Sequence, residues 1–151
     1  MKQTPEEKTL YRNFLPGEIT RDGFLGSDTR HIHDIVAADE NQMQILQISI
    51  ERLTDKMQGL IEAGKEGLEQ EVSVPPCFSV SVHWVRGMLP CPFGDRGLHH
   101  KLICRVTNRD TGSAIRYSQL SVHMIAVHHF FGGRGSSFRL EPAELARILE
   151  I

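Results

Sequence analysis

The sequence FSVSVHW at residues 78–84 alternates apolar and polar side chains, and this alternation constrains the fold more than any other feature of the chain. Successive side chains of a β-strand point to opposite faces of the sheet, whereas side chains of a helix return to the same face after about 3.6 residues. Residues 78–84 therefore predict a strand with one apolar face. The two prolines before it fit the entry of a strand or a sheet edge, because proline cannot donate a hydrogen bond to the ladder.

Two further segments have the character of strands. HKLICRVT at residues 100–107 and SAIRYS at residues 113–118 flank NRDTG, which has the composition of a hairpin turn. Together with residues 78–84, they predict a small antiparallel sheet of about three strands. Each strand follows the previous one directly, so the expected topology is a β-meander.

A helical region precedes these strands. TPEE at residues 4–7 is a capping-box pattern with proline at the first helical position, and it predicts a short helix. Residues 28–64 are also predicted to be helical, because apolar residues recur at spacings of three and four. The members of this stripe are Met43, Leu46, Ile50, Leu53, Met57 and Leu60. The stripe indicates one long helix with a side that faces the core, whereas Ser49, as an N-cap, would divide it into two.

Two helices are expected after the strands. Residues 118–131 are either a strand or a helix, and their length, the N-cap residue Ser118 and the glycine pair at 132–133 favour a helix. PAELARILE at residues 142–150 predicts a second helix that begins on Pro142. The expected fold is therefore α+β. A single globular domain over residues 1–151 would pack the small sheet against the N-terminal helical region and two C-terminal helices.

Composition excludes several classes of protein. The 151 residues carry a net charge of −2, so no positive field indicates a nucleic-acid partner. No apolar run approaches the length of about 20 residues that spans a bilayer, and the polar N-terminus does not resemble a signal peptide. Three cysteines, an odd number, argue against a secreted disulfide framework. We therefore expect a cytoplasmic protein with neither a membrane nor a nucleic-acid partner.

Histidine and cysteine concentrate in one part of the chain. Six of the eight histidines lie between residues 83 and 129, and the three cysteines lie between residues 77 and 104. In the segment 88–100, Cys91 stands between two prolines, Asp95 follows, and His99 and His100 close the loop. Sulfur, carboxylate and imidazole are the ligand types that zinc accepts. The segment contains neither a C-x-x-C pair nor an H-E-x-x-H helix, so it matches no established zinc signature.

The segment 118–131 supplies further imidazoles. On a helix, the stripe formed by Leu120, Met124, Val127 and Phe131 would face the protein, with His123 beside it and His128 at its other border. His129 would point away, into solvent. A helix laid on the sheet would bring His123 towards the loop between the first two strands. Sequence therefore predicts that Cys91, His99 and His123 bind zinc or another divalent metal, with Asp95 and His128 supporting these ligands from outside.

Two alternatives remain open at this point. In the first, the protein is a cysteine-dependent enzyme in which Cys91 attacks the substrate and a nearby histidine takes its proton. In the second, it is an interaction module without a cofactor. Whichever of these functions holds, we expect a homodimer through a helix over residues 43–61, because Ile45, Ile48 and Ile61 make that helix apolar on more than one side. Sequence does not distinguish an enzyme from a binding protein.

Overall fold

The computed structural model of the protein describes residues 4–151 and shows an antiparallel sheet of four strands in the order β1-β2-β3-β4. The strands are β1 (Val72–Val74), β2 (Phe78–Pro90), β3 (Leu98–Asn108) and β4 (Ala114–Ser118). The predicted α+β class and the meander are confirmed, with one strand more than the expected three or so. The additional strand, β1, has only three residues and is followed by two prolines, so it is too short to show an alternating pattern.

Five helices lie within the described residues. They are α1 (Pro5–Asn13), α2 (Ile32–Leu46), α3 (Ile50–Lys65), α4 (Gln119–His128) and α5 (Pro142–Leu149). The predicted capping box begins α1, because the side chain of Thr4 accepts from the Glu7 amide while the Glu7 carboxylate accepts from the Thr4 amide. Of the helices found in residues 4–151, none is long and apolar enough to cross a membrane.

Residues 43–61 belong to two helices, so the single continuous helix is wrong and the alternative with Ser49 as an N-cap is confirmed. Gln47 adopts a left-handed conformation with φ of 57°, and the amide of Ile48 returns to the carbonyl of Met43 at 3.1 Å, which closes α2. The side chain of Ser49 then caps α3 by accepting from the amide of Arg52. Helical periodicity continues across this break, so the stripe alone could not reveal it. The homodimer predicted through this segment stays a prediction, now on two helices instead of one.

The apolar face of β2 forms the main core with α3. Phe78, Val80 and Val82 have no exposed surface, as the alternating pattern predicts, but Trp84 at the end of the pattern is 46% exposed and Ser81 on the opposite face is buried. Gly64 of α3 lies directly over this face, where an added Cβ would stand 2.6 Å from Val82 Cγ2 and 2.9 Å from Val80 Cγ1. The helix therefore approaches the sheet at a distance that only glycine permits at this position.

A second cluster of buried side chains lies where β2 runs into the loop at residues 91–97. Its members are Phe14, Leu25, Ile35, Cys91, Leu120, Met124 and Phe130. These residues come from α2, α4, the loop and the segments that follow α1 and α4. This cluster fixes the position of the loop that carries Cys91 relative to the helix that carries His123.

Residues 118–131 contain the helix that their length and cap favour. The side chain of Ser118 accepts from the amide of Ser121, and α4 ends at His129, whose φ of 56° is left-handed. Leu120 and Met124 are buried as the predicted stripe requires, but Val127 is 56% exposed. The stripe is wrong at its C-terminal end because α4 stops one residue after Val127, at His128, and the chain turns away at His129. Phe131 is buried in the main core from beyond the helix.

Candidate metal centre

The loop at residues 91–97 connects β2 to β3 and carries Cys91 and Asp95. It folds back immediately, because the amide of Gly94 donates to the carbonyl of Cys91 at 3.0 Å, with Gly94 at φ of 87°. Asn13, at the end of α1, holds the loop by donating from Nδ2 to the carbonyl of Pro92 at 3.1 Å. Cys91 is buried and the Asp95 side chain is 32% exposed. The loop therefore places a thiol inside the protein and a carboxylate nearer the surface.

Helix α4 brings two imidazoles to the same place. His123 Nε2 is hydrogen-bonded to Asp95 Oδ2 at 2.7 Å, and His128 Nε2 lies 3.2 Å from Asp95 Oδ1. The centroids of the two imidazole rings are 5.6 Å apart. Each ring is mostly buried, with exposed side-chain fractions of 18% for His123 and 20% for His128. Asp95 therefore stands between two histidines of one helix.

Four potential ligand atoms converge here, one each from Cys91, Asp95, His123 and His128, and all lie within 4.8 Å of one another. A tetrahedral zinc ion with bonds of about 2.0–2.3 Å keeps its ligand atoms about 3.3–3.8 Å apart. Two ligand atoms at the limit of 4.8 Å would therefore need to approach each other by about 1.0–1.5 Å to hold such an ion.

Two of these donor atoms are buried without a hydrogen bond. Asp95 Oδ1 and His128 Nε2 have no hydrogen-bond partner, since their separation of 3.2 Å is not accompanied by hydrogen-bond geometry. Buried polar atoms in native proteins are nearly always paired. Unpaired oxygen and nitrogen atoms that face each other in this way are suited to binding a cation between them.

His99, the third predicted ligand, lies next to this group but outside it. It is the second residue of β3, and its ring centroid is 4.3 Å from that of His123, with a tilt of 38° between the ring planes. Its Nε2 is a third buried atom without a hydrogen-bond partner. The structure thus brings Cys91 and His123 together with Asp95 and His128, the two residues predicted to play a supporting part, while His99 packs against His123.

The charges of the group favour a cation. The adjacent Cys91 thiol, followed by His128, holds the pKa of Asp95 well below its usual range, although burial acts in the opposite direction. Asp95 is therefore a carboxylate at neutral pH. Burial, followed by the charge of His123, lowers the pKa of His99, which keeps that imidazole neutral and its lone pair available.

The thiol of Cys91 is protonated at neutral pH in the metal-free protein. Burial and then the neighbouring Asp95 carboxylate raise the pKa of its thiol to about 12. A nucleophilic cysteine requires the opposite, a pKa lowered by a positive charge nearby. A metal ion reverses this situation because it displaces the proton and binds the thiolate directly. The environment of Cys91 is therefore better suited to a metal ligand than to a nucleophile.

Two features of the surroundings were not predicted. Phe93, between the two loop ligands, stacks on His128 with ring centroids 4.1 Å apart and planes inclined by 9°, and its own edge meets Phe14. No sequence pattern distinguishes this phenylalanine from any other loop residue. His129, expected in solvent, instead pairs through Nδ1 with Glu40 Oε2 at 2.6 Å and is 39% exposed. The left-handed turn at the end of α4 redirects its side chain towards α2.

A second group, Cys77, Asp110 and Glu150, also has ligand atoms within 4.8 Å of one another. Its hydrogen bonds are already made, since the Cys77 thiol donates to Glu150 Oε2 at 3.3 Å and Asn108 Nδ2 donates to the same oxygen at 3.1 Å. Asp110 and Glu150 are exposed, as carboxylates commonly are without any ion. We therefore regard the group around Cys91 as the candidate centre.

Comparison of this chain with known proteins does not help to identify the centre. Comparison with protein-family models, with curated proteins and with solved structures finds no match.

Proposed function

We propose that this protein binds a divalent transition metal of the zinc class through Cys91, Asp95, His123 and His128. The observation that carries the proposal is the convergence of a sulfur, an oxygen and two nitrogen donors within 4.8 Å, two of them buried and unpaired. A mixed set of this kind suits a borderline-soft ion such as Zn²⁺ better than Mg²⁺ or Ca²⁺, which prefer oxygen ligands.

Formal charge also supports a divalent ion. The thiolate of Cys91 and the carboxylate of Asp95 together carry two negative charges, which balance an ion of charge +2, while both imidazoles bind as neutral ligands. The bound centre would then be electrically neutral inside a largely buried cluster, where a net charge is costly. Four protein ligands would complete a tetrahedral shell, which is typical of structural zinc sites.

The proposed ligands include Cys91 and His123 of the set predicted by sequence, but the geometry favours Asp95 and His128 where the sequence favoured His99. Substitution distinguishes the two sets. If the four converging residues bind the ion, His128→Gln abolishes stoichiometric binding and His99→Gln retains it. If Cys91, His99 and His123 bind the ion instead, His99→Gln abolishes stoichiometric binding and His128→Gln retains it. In both sets His123→Gln abolishes binding, because glutamine preserves most of the volume without the imidazole donor.

The experiment is metal analysis of protein purified without an affinity tag, after dialysis against zinc and removal of the unbound ion. We expect one zinc ion per chain in the wild type and in His83→Gln, an exposed histidine of β2 that serves as the matched control. Cobalt substitution adds a test of the sulfur ligand, since a cobalt–thiolate bond gives a charge-transfer absorption that Cys91→Ser should lose and Cys77→Ser should keep. Absence of stoichiometric metal, or a thiolate band that survives in Cys91→Ser, would overturn the proposal.

A further inference from the structure

A cavity of about 400 Å³ adjoins the candidate metal centre. It lies between α1, the N-terminal half of α2, the loop at residues 91–97 and the end of α4. His128 belongs to both sites, because its ring contributes to the metal-binding group and also lines the cavity, where it stacks on Phe93. The volume falls in the lower part of the range of about 300–1,000 Å³ that small-molecule sites occupy.

The walls of the cavity combine apolar side chains with two carboxylates. Leu10, Val36 and Phe93 provide apolar and aromatic surface, and Glu7 and Glu40 provide negative charge. Both carboxylates are held in place. Glu7 accepts from the amide of Thr4 at 2.9 Å, and Glu40 pairs with His129 at 2.6 Å. Among the described residues that line the cavity, none is a lysine or an arginine.

The charge balance of the cavity favours a cation as its ligand. Its remaining ionisable residues within the described part of the chain are His31, His33 and His128. Glu7 and Glu40 are the described lining residues that carry a negative charge, and they would attract a positively charged group.

We infer that this cavity binds a small organic amine, that is, a protonated amino group attached to an apolar carbon body. The ammonium group would lie by Glu40 and Glu7, and the apolar body would contact Val36, Leu10 and the Phe93 ring. This inference uses His128 only as part of the wall, so it does not depend on the proposed metal. The chemical class follows from the combination of apolar surface with two oriented carboxylates and, among the described lining residues, no lysine or arginine.

Phenethylamine is a suitable probe, because it combines an aromatic body with one ammonium group, and 3-phenylpropionate is a comparator of similar shape with the opposite charge. Each is titrated at pH 8 into the full-length ¹⁵N-labelled protein, once loaded with zinc and once after chelation. We expect phenethylamine to shift the amide resonances of Val36, Glu40 and Phe93 saturably in both preparations. We expect 3-phenylpropionate to bind at least about tenfold more weakly, because attraction to the carboxylates becomes repulsion.

Substitution then tests the carboxylate directly. Glu40→Gln should weaken phenethylamine binding by about fivefold, the effect of losing one partly exposed ion pair, and should not weaken 3-phenylpropionate. Glu51→Gln, an exposed glutamate of α3 outside the cavity, is the matched control and should leave both affinities unchanged. Folding of each variant is checked by the dispersion of the same spectra. Lack of saturable shifts at the cavity, equal or tighter binding of 3-phenylpropionate, or an unaffected Glu40→Gln variant would each overturn the inference.

The same titrations separate this inference from the proposed metal site. If the protein binds phenethylamine but no zinc, the cavity is a ligand site and the metal proposal fails alone. If it binds zinc but neither preparation binds phenethylamine, the metal proposal stands and the cavity inference fails.

Discussion

Zinc binding should release one proton from Cys91. In the metal-free protein the raised pKa of about 12 keeps this thiol protonated at neutral pH, whereas a metal binds the thiolate. Asp95 should release none, because its lowered pKa leaves it ionised already. Each zinc ion that binds should therefore exchange for one proton at a pH above the ordinary titration range of imidazole.

The size of the pH dependence of zinc affinity follows from the exchange of one proton. Since the pH stays below the pKa of the thiol, the apparent association constant should rise tenfold per pH unit. From about pH 7.5 to pH 9 the increase should be about 30-fold, which corresponds to about 2 kcal/mol. The direction is fixed by the sign of the shift. A raised thiol pKa favours the protonated, metal-free form, so affinity is lost as the pH falls.

Calorimetric titration with zinc at pH 8, repeated in two buffers with different ionisation enthalpies, measures the number of protons released. The wild type and Cys77→Ser should each release one, and Cys91→Ser should release none or fail to bind. Stoichiometric zinc binding by the wild type without proton release would refute the reasoning, because Cys91 would then be either no ligand or already a thiolate.

Three further predictions concern stability and assembly. Gly64→Ala should lower the free energy of unfolding by about 1–3 kcal/mol in urea denaturation, because the new methyl group meets the side chains of β2. Gly59→Ala in the same helix has open space around it and should raise the free energy of unfolding by about 0.5–1 kcal/mol. In the same assay, Asp28→Ala should lower the free energy of unfolding by about 1–3 kcal/mol, because the amide of Arg134 and the side chain of Arg30 lose their acceptor. Asp55→Ala, at an exposed position, is the control and should change the free energy of unfolding little. Ile45 is 66% exposed in the single chain. If the protein dimerises through residues 43–61, Ile45→Glu should convert the dimer to a monomer in analytical ultracentrifugation. A wild type that sediments as a monomer of 17.1 kDa would contradict the dimer.

Local patterns predicted the elements of this fold because they act over a few residues. The alternation at residues 78–84 identifies β2, and the capping residues Thr4 and Ser118 mark the starts of α1 and α4. The break between α2 and α3 was only an alternative, since apolar spacing continues through it. Its cause, the left-handed Gln47, is a residue type without a strong preference for that conformation.

The candidate centre was predictable in part for a different reason. Residue type and topology together place Cys91 near His123, because a hairpin loop and a helix laid on the same sheet must meet. They do not determine side-chain direction at the end of a helix. For this reason the proximity of His128 to Asp95, and the pairing of His129 with Glu40, emerge only from the structure.

Because of the left-handed turn at His129, the imidazole resonances of this residue can report on the candidate centre. Two adjacent imidazoles diverge from one point of the backbone, one towards Asp95 in the candidate centre and the other towards Glu40 of α2. The two residues are joined by one peptide bond, so a change in the position of the His128 ring also alters the surroundings of His129. The imidazole resonances of His129 should therefore respond to zinc although that residue is not a ligand, and they can be followed without disturbing any donor atom of the centre.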